Sequence, residues 1–457
     1  MRETSACSDY NVVVVGAGIA GLTAAFLLQR EGYRVTVLES STRDEVGGRM
    51  ANVDHGGFPV DLAASLLSYR YQHLLRLAAA VNARPLRSSS LVGVVKEGRV
   101  QRINVKSLPR MAAGMLKLVP PTDAVRLLID YARLRPSLSW EDMSSMSTHD
   151  HHSVSEYAAR RGISNATVDY ALDLLCILAS LEDAEVTSSI GPFMILRSLL
   201  GGGGFFTSTA GVGFLPQALA EHVVVEHEAT VLSVEESAGE VEVTWCRDNA
   251  TTTVRAEACV IAVPPPLVHG IYPQLQEIER TAFESLRYAA SIHIAFGLDR
   301  PTSAKEVVLD FPRKEHPDMC GFVLPHNMAE GRVAAGRGLA MAHFRGNWSA
   351  SHLDSDDEFL AAAALAGARH LRVLPELESH AELLRVCRVP QGIVVRRPGD
   401  YRALKGLSAA RPAESRVQLA GGDFLAHSTT NHSVASGMLA AQRIGRVLST
   451  PIPARVR

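Results

Sequence analysis

Residues Val12 to Gly21 read VVVVGAGIAG, an unbroken β-branched run that enters a turn carrying Gly16, Gly18 and Gly21. A chain of this kind is constrained to a strand, a tight turn and a helix. Gly16 permits the turn, Gly18 lets backbone approach a pyrophosphate, and Gly21 allows the helix predicted over Leu22 to Arg30 to pack on the strand. That helix points its N-terminal amides and positive dipole end at the phosphates. After Gly32, Tyr33 to Leu38 alternates like a second strand and ends on Glu39, at the distance where an acid reaches the ribose hydroxyls of a dinucleotide. A carboxylate there repels a 2'-phosphate, which argues against NADP.

The segment STRDEVGGRMANVDHGGFPVDLAAS begins at Ser41. It resembles the second half of the FAD-binding signature of the flavin amine oxidase, protoporphyrinogen oxidase and phytoene desaturase superfamily. The resemblance implies that Gly47 and Gly48 bring backbone to the cofactor while Arg49 adds positive charge beside the diphosphate. The family's Asp-hydrophobic-Gly-Ala element is here Asp61, Leu62, Ala63, Ala64, with alanine where glycine is usual. Further matches are GVGFLPQALA from Gly211 and CVIAVP from Cys259. The first is followed by Val231, which the resemblance makes the backbone contact for adenine. At the far end, the Gly-Asp pair Gly422 and Asp423 is similar to the one that reaches the ribityl chain. A final helix over Ser433 to Val447 would aim the amides of Ser433 and Val434 at the flavin O2 edge.

These matches imply an α/β fold in which a Rossmann-type FAD-binding domain is interleaved with an α+β substrate-binding domain. The predicted segments are 8–75, 206–270 and 385–457 for the former, with 76–205, mainly helical, and 271–384, sheet and helices, for the latter. At 457 residues, 47% hydrophobic and 21% charged, the chain is long enough for two cores. A net charge of -2 provides no footprint for nucleic acid. Six cysteines without CxxC spacing suit free thiols and a cytoplasmic location. No apolar run reaches the length of a membrane span, and the early first strand leaves no room for a signal peptide. Segment 109–135 mixes apolar with basic residues and could touch a membrane surface, but a helix pair broken at Pro120 and Pro121 is the simpler reading. His149, His151 and His152 lie in a polar loop pattern without partner cysteines, so no metal site is expected.

The resemblance implies noncovalent FAD that accepts hydride from an organic small molecule and passes electrons to O2. The strand predicted over Ser291 to Leu298 would floor the pocket, yet it lacks the lysine usual in amine oxidases, and His427 to Ser433 lacks their Trp-x-Gly-aromatic pattern. Stretches from Ser285 and from Val389 look like the protoporphyrinogen-oxidase-like branch, which favours a hydrophobic or cyclic substrate. The alternatives are an amine or amino-acid oxidase with an atypical cage, or a flavin-free prenyl-protein-binding scaffold. Asn431 and His432 precede the flavin-facing helix and are the catalytic candidates, against a plain capping and packing role. Arg396 and Arg397 are candidates to clamp a substrate carboxylate, against a solvated pair.

Overall fold

The computed structural model describes residues 10–449 apart from Ala238, Ala413 and Ala426; Cys7 lies outside the described residues. Two seven-stranded sheets organise it. In the first, Tyr10–Val15 pairs in parallel with Val35–Leu38 on one side and with the end of Ala250–Ile261 on the other. Val224–Glu226 and Val417–Leu419 extend the parallel region. Thr230–Glu236 and Val241–Arg247 complete the sheet as an antiparallel meander on the first half of Ala250–Ile261. Both faces of the central strand are covered, which is why Val12, Val13, Val14 and Val15 read as a continuous apolar run.

The helix Ile19–Arg30 and the C-terminal helix Thr430–Ser449 pack on one face through Leu22, Ala24, Val434 and Ala440. Val268, Tyr272, Ala282 and Phe283 cover the other. Both helices start earlier than the sequence suggested. Ile19 rather than Leu22 opens the first, so Gly21 lies within its first turn, where a Cβ would stand 2.0 Å from the Gly16 carbonyl oxygen. Thr430 rather than Ser433 opens the last.

The second sheet takes strands in the order Ala381–Val395, Arg287–Leu298, Gly338–Phe344, Met319–Val323, Val308–Asp310, Leu91–Lys96 and Arg99–Asn104. The hairpin of the last two strands lies in the insert expected to be mainly helical. Strand Ala381–Val395 runs across the expected boundary at 384/385 and pairs along Arg287–Leu298 rather than joining the nucleotide sheet. Likewise the helix Glu277–Ser285, expected with the second segment of the substrate domain, packs on the first sheet. An amphipathic piece cannot announce which of two cores it will join.

On Arg287–Leu298 the apolar members Ile292, Ile294 and Phe296 face Leu360 and Ala364 of the helix Asp357–His370. The small and polar members are left for the opposite face. Gly201 to Gly204 all have positive φ, from +67° to +108°, and a Cβ at Gly204 would lie 2.0 Å from Ser90 Oγ. The stretch is therefore a close backbone approach, not the loose joint its composition suggests. The pair of helices Leu108–Met115 and Pro121–Leu134 breaks at the two prolines and buries Met111, Leu127 and Tyr131. Their outer side exposes Leu108, Leu116, Val125, Leu128 and Ile129. Among the described residues no helix is long and apolar enough to cross a membrane, and the five described cysteines are unpaired.

Candidate functional site

One cavity of about 1010 Å³ runs from the glycine-rich turn to the inner face of the second sheet. At its first end lie Gly16, Gly18, Glu39 and Val231. Gly16 has φ +98°, and a Cβ on Gly18 would meet nothing within 4 Å, so the turn leaves open space where a ligand backbone can approach. The helix behind it has no side-chain cap. Its first-turn amides and positive dipole end would favour an anion there. Glu39 spans the turn, accepting from Ala17 N–H at 2.6 Å and Ser41 N–H at 2.8 Å.

Gly47, Gly48 and Arg49 form the next part of the wall. Gly47, with φ +121°, bridges to Gly18, so the two glycine turns are stitched together through backbone. The Arg49 guanidinium donates to Asp423 Oδ2 at 2.8 Å and to the Gly392 carbonyl at 3.2 Å. Asp423 also accepts from the Tyr288 hydroxyl at 2.7 Å and from Ser428 Oγ at 2.6 Å. Burial pushes its carboxyl upward, but Arg49, Ser428 and Tyr288 outweigh that and leave it below the ordinary carboxylate range. Asp423 thus binds three distant chain segments into one wall. Ala63 lines the cavity without a positive φ, so the alanine meets no backbone requirement for glycine.

Several expected residues sit elsewhere. Gly422 is absent from the cavity wall, where Gly421 and Asp423 stand; a Cβ on Gly422 would lie 2.6 Å from the His427 carbonyl oxygen. Its role is close packing, as is that of Gly21. Ser433 lines the cavity, but its N–H already bonds the Thr429 carbonyl at 3.0 Å because the helix begins a turn sooner; Val434 is buried against the first helix. The wall instead receives Thr430, whose Oγ1 is buried with no partner.

Neither catalytic candidate reaches the cavity. Asn431 accepts from the backbone N–H of His73 and Leu74, at 3.1 and 3.3 Å, and so secures the start of the helix Gln72–Ala80. His432 is fully buried. Its Nδ1 meets Thr429 Oγ1 at 2.7 Å, its Nε2 meets the Ser139 carbonyl at 3.3 Å, and its ring packs on Trp140. Burial pushes its imidazole down to about 4, which favours the neutral ring. Arg396 is 2% exposed, with its guanidinium on the Asp423 carbonyl, while Arg397 is exposed and held by Asp400. No arginine of the pair lines the cavity.

At the far end, Ile177, Leu181, Ile195, Leu199 and Phe205 form an apolar wall. Facing them on the second sheet are Ser291, His293, Asp310 and His343. The histidines were not singled out from the sequence. Their signal is a polar residue at the position that breaks an otherwise apolar or small strand, His293 in SIHIAF and His343 in AMAHF.

Crossed sheet, glycine turns and joined cavity define a dinucleotide-binding protein with a second, ligand-enclosing lobe. A sequence profile of flavin-containing amine oxidoreductases matches residues 19–445, and the chain belongs to that family. It is 27% identical over 317 residues to an L-amino-acid oxidase of Naja atra, covering 64% of this chain and 59% of that protein. The chain therefore spans about three fifths of the length of the curated relatives it matches. Putrescine oxidase bound to putrescine superposes with a TM-score of 0.73 at 17% identity, over 96% of this chain and 99% of that one. Cyclohexylamine oxidase from Brevibacterium oxydans gives 0.72 at 17% identity, over 97% and 100%. These two likenesses establish the fold.

Proposed function

We propose that the protein is an FAD-dependent oxidoreductase acting on a small, largely apolar organic molecule. The observation that carries this reading is the single cavity joining the glycine turns to the apolar pocket, which puts a dinucleotide and a substrate in one enclosure. The residues fit FAD. Open space over Gly18, the Glu39 carboxylate, Arg49 and the unpartnered Thr430 hydroxyl are the groups that would hold its phosphates, ribose and ring edge. When bound, FAD supplies a hydride acceptor and hands electrons on to an acceptor, here proposed to be O2.

The chain's own contribution is to position and to exclude water. Ile177, Leu181, Ile195 and Phe205 desolvate the substrate body, and the N-terminus of the helix Thr430–Ser449 favours negative charge at the cavity wall. Segments 10–75 and 206–286 with the C-terminal strand and helix would form the FAD-binding domain, the rest the substrate domain. Buried free thiols at Cys176, Cys259, Cys320 and Cys387 suit a reducing cytoplasm.

Purified protein is expected to be yellow, and acid precipitation should release FAD to the supernatant, as noncovalent binding requires. Colour retained in the pellet would refute noncovalent attachment, and flavin-free protein that gains no thermal stability from added FAD would refute the cofactor.

A further inference from the structure

The helix pair Leu108–Met115 and Pro121–Leu134 carries apolar side chains on two sides, where a surface helix ordinarily keeps one side polar. On the second helix Asp123, Leu127, Asp130 and Tyr131 form the buried stripe. Leu127 joins Leu175, Cys176 and Ile195 in one core cluster, which anchors the pair to the body of the molecule. Val125, Leu128 and Ile129 repeat on the opposite side, and Leu108 and Leu116 stand exposed at the two ends of the first helix. These five side chains are 44–55% exposed. Other large exposed apolar side chains among the described residues stand singly along the sequence, whereas these five fall on one helix pair.

The exposed charge around these side chains has one sign. From Lys106 to Leu138 the sequence holds Lys106, Arg110, Lys117, Arg126, Arg133 and Arg135 against two acids, Asp123 and Asp130, in a chain whose net charge is -2. Both acids turn inward. Asp123 accepts from Ser164 N–H at 2.9 Å, Ser164 Oγ at 2.6 Å and Thr167 Oγ1 at 2.7 Å. Asp130 accepts from the Tyr157 hydroxyl and from Arg161 Nε, each at 2.7 Å. Lys106, Arg110, Lys117, Arg133 and Arg135 are exposed, and among the described residues Arg133 alone of the five reaches an acid, Asp130 at 3.4 Å.

We propose that the outer side of this helix pair docks on the surface of an anionic phospholipid bilayer. Lipid answers both halves of the surface at once: the head-group and acyl boundary takes Leu116, Val125, Leu128 and Ile129, while Arg110, Lys117 and Arg133 lay their stems along it and reach the anionic head groups. A second copy of the chain does not fit. A two-fold contact through this side would set its exposed cations against the same cations, with no exposed acid of the segment to answer them. The inference is independent of the chemistry carried out in the cavity.

The test is co-sedimentation of the purified full chain with vesicles of equimolar phosphatidylserine and phosphatidylcholine and with vesicles of phosphatidylcholine alone, beside titration with soluble poly-L-glutamate. The mixed vesicles are expected to bind at least about tenfold more tightly than phosphatidylcholine alone, and added salt should narrow the difference. Leu128→Ser combined with Ile129→Ser should weaken binding to the mixed vesicles about tenfold. Arg110→Gln combined with Lys117→Gln should remove most of the preference for phosphatidylserine. These side chains are exposed, so thermal unfolding should stay unchanged; should the Leu128 and Ile129 variant not fold, Leu116→Ser carries the same test. No sedimentation with the mixed vesicles, no preference for them, or binding unchanged by loss of either the apolar or the basic side chains would overturn the proposal. Poly-L-glutamate bound as tightly as the mixed vesicles, and lost in the same variants, would assign the surface to an acidic protein and overturn the lipid.

Discussion

Asp423 shows how one side chain links sequence, structure and ligand binding. It is 1% exposed and paired with Arg49, so removing its charge leaves a partly buried guanidinium without its anion. Asp423→Asn should cost about 3 kcal/mol of stability and weaken FAD retention, measured by thermal unfolding and flavin content. Because its folded carboxyl sits below the ordinary value, that stabilisation is present above about pH 4 and is lost as pH falls through the folded value. His432 lies outside the cavity lining, although its position in the sequence would put it there. With Thr429, Ser139 and Trp140 around it, His432→Ala should lower stability by about 2 kcal/mol while the rate of flavin reduction by substrate in protein that remains folded stays unchanged. A slowed reductive step at full flavin occupancy would return it to the active site. That Gly16, Gly18, Glu39 and Arg49 would share one cavity wall was legible in the sequence, because each answers to a fixed backbone or charge requirement of the turn. The placement of His432 and Asn431 was not, since the helix begins at Thr430 and takes both into its first turn on the side away from the cavity.

At the level of elements, continuous apolar runs declared themselves and pieces of mixed composition did not. Val12 to Val15 could only be a buried strand, whereas Ala381–Val395, half-buried over most of its length, could join either sheet. The strand at Ser291 to Leu298 was read correctly as a strand, but its apolar residues face the helix Asp357–His370 and its polar ones the cavity. The register that sets His343 opposite both His293 and Gly321 joins strands far apart in sequence, so no single stretch of sequence shows that these residues meet. The crossing of the first and last helices is equally specific. A Cβ on Gly437 would lie 2.3 Å from the Ala20 carbonyl oxygen. Gly437→Val should therefore cost about 1–3 kcal/mol in unfolding free energy and loosen FAD, because Thr430 at the other end of that helix lines the cavity. Full stability with full flavin content would contradict this account of the helix contact.

The whole molecule carries a set of histidines buried in the neutral state. His293, His343, His427 and His432 all have pKa values pushed down chiefly by burial, His343 and His432 to about 4. An unfolded chain protonates these groups near pH 6.5 while the fold does not. Stability should thus fall as pH drops from about 6.5 toward 4, by up to about 1.4 kcal/mol per pH unit for each histidine, and level off below the folded values. Thermal unfolding from pH 7 to pH 5 checks the sign, and replacing His432 by Gln should flatten the slope. The central claim concerns the enclosure shared by the glycine turns and the histidine-lined pocket. Its most direct test is anaerobic titration of the purified yellow protein with a panel of small, largely apolar organic molecules, followed by admission of O2. The account predicts that the flavin absorbance bleaches with substrate and returns with O2; flavin that dithionite reduces but no such small molecule does, or a protein that never holds flavin, would contradict it.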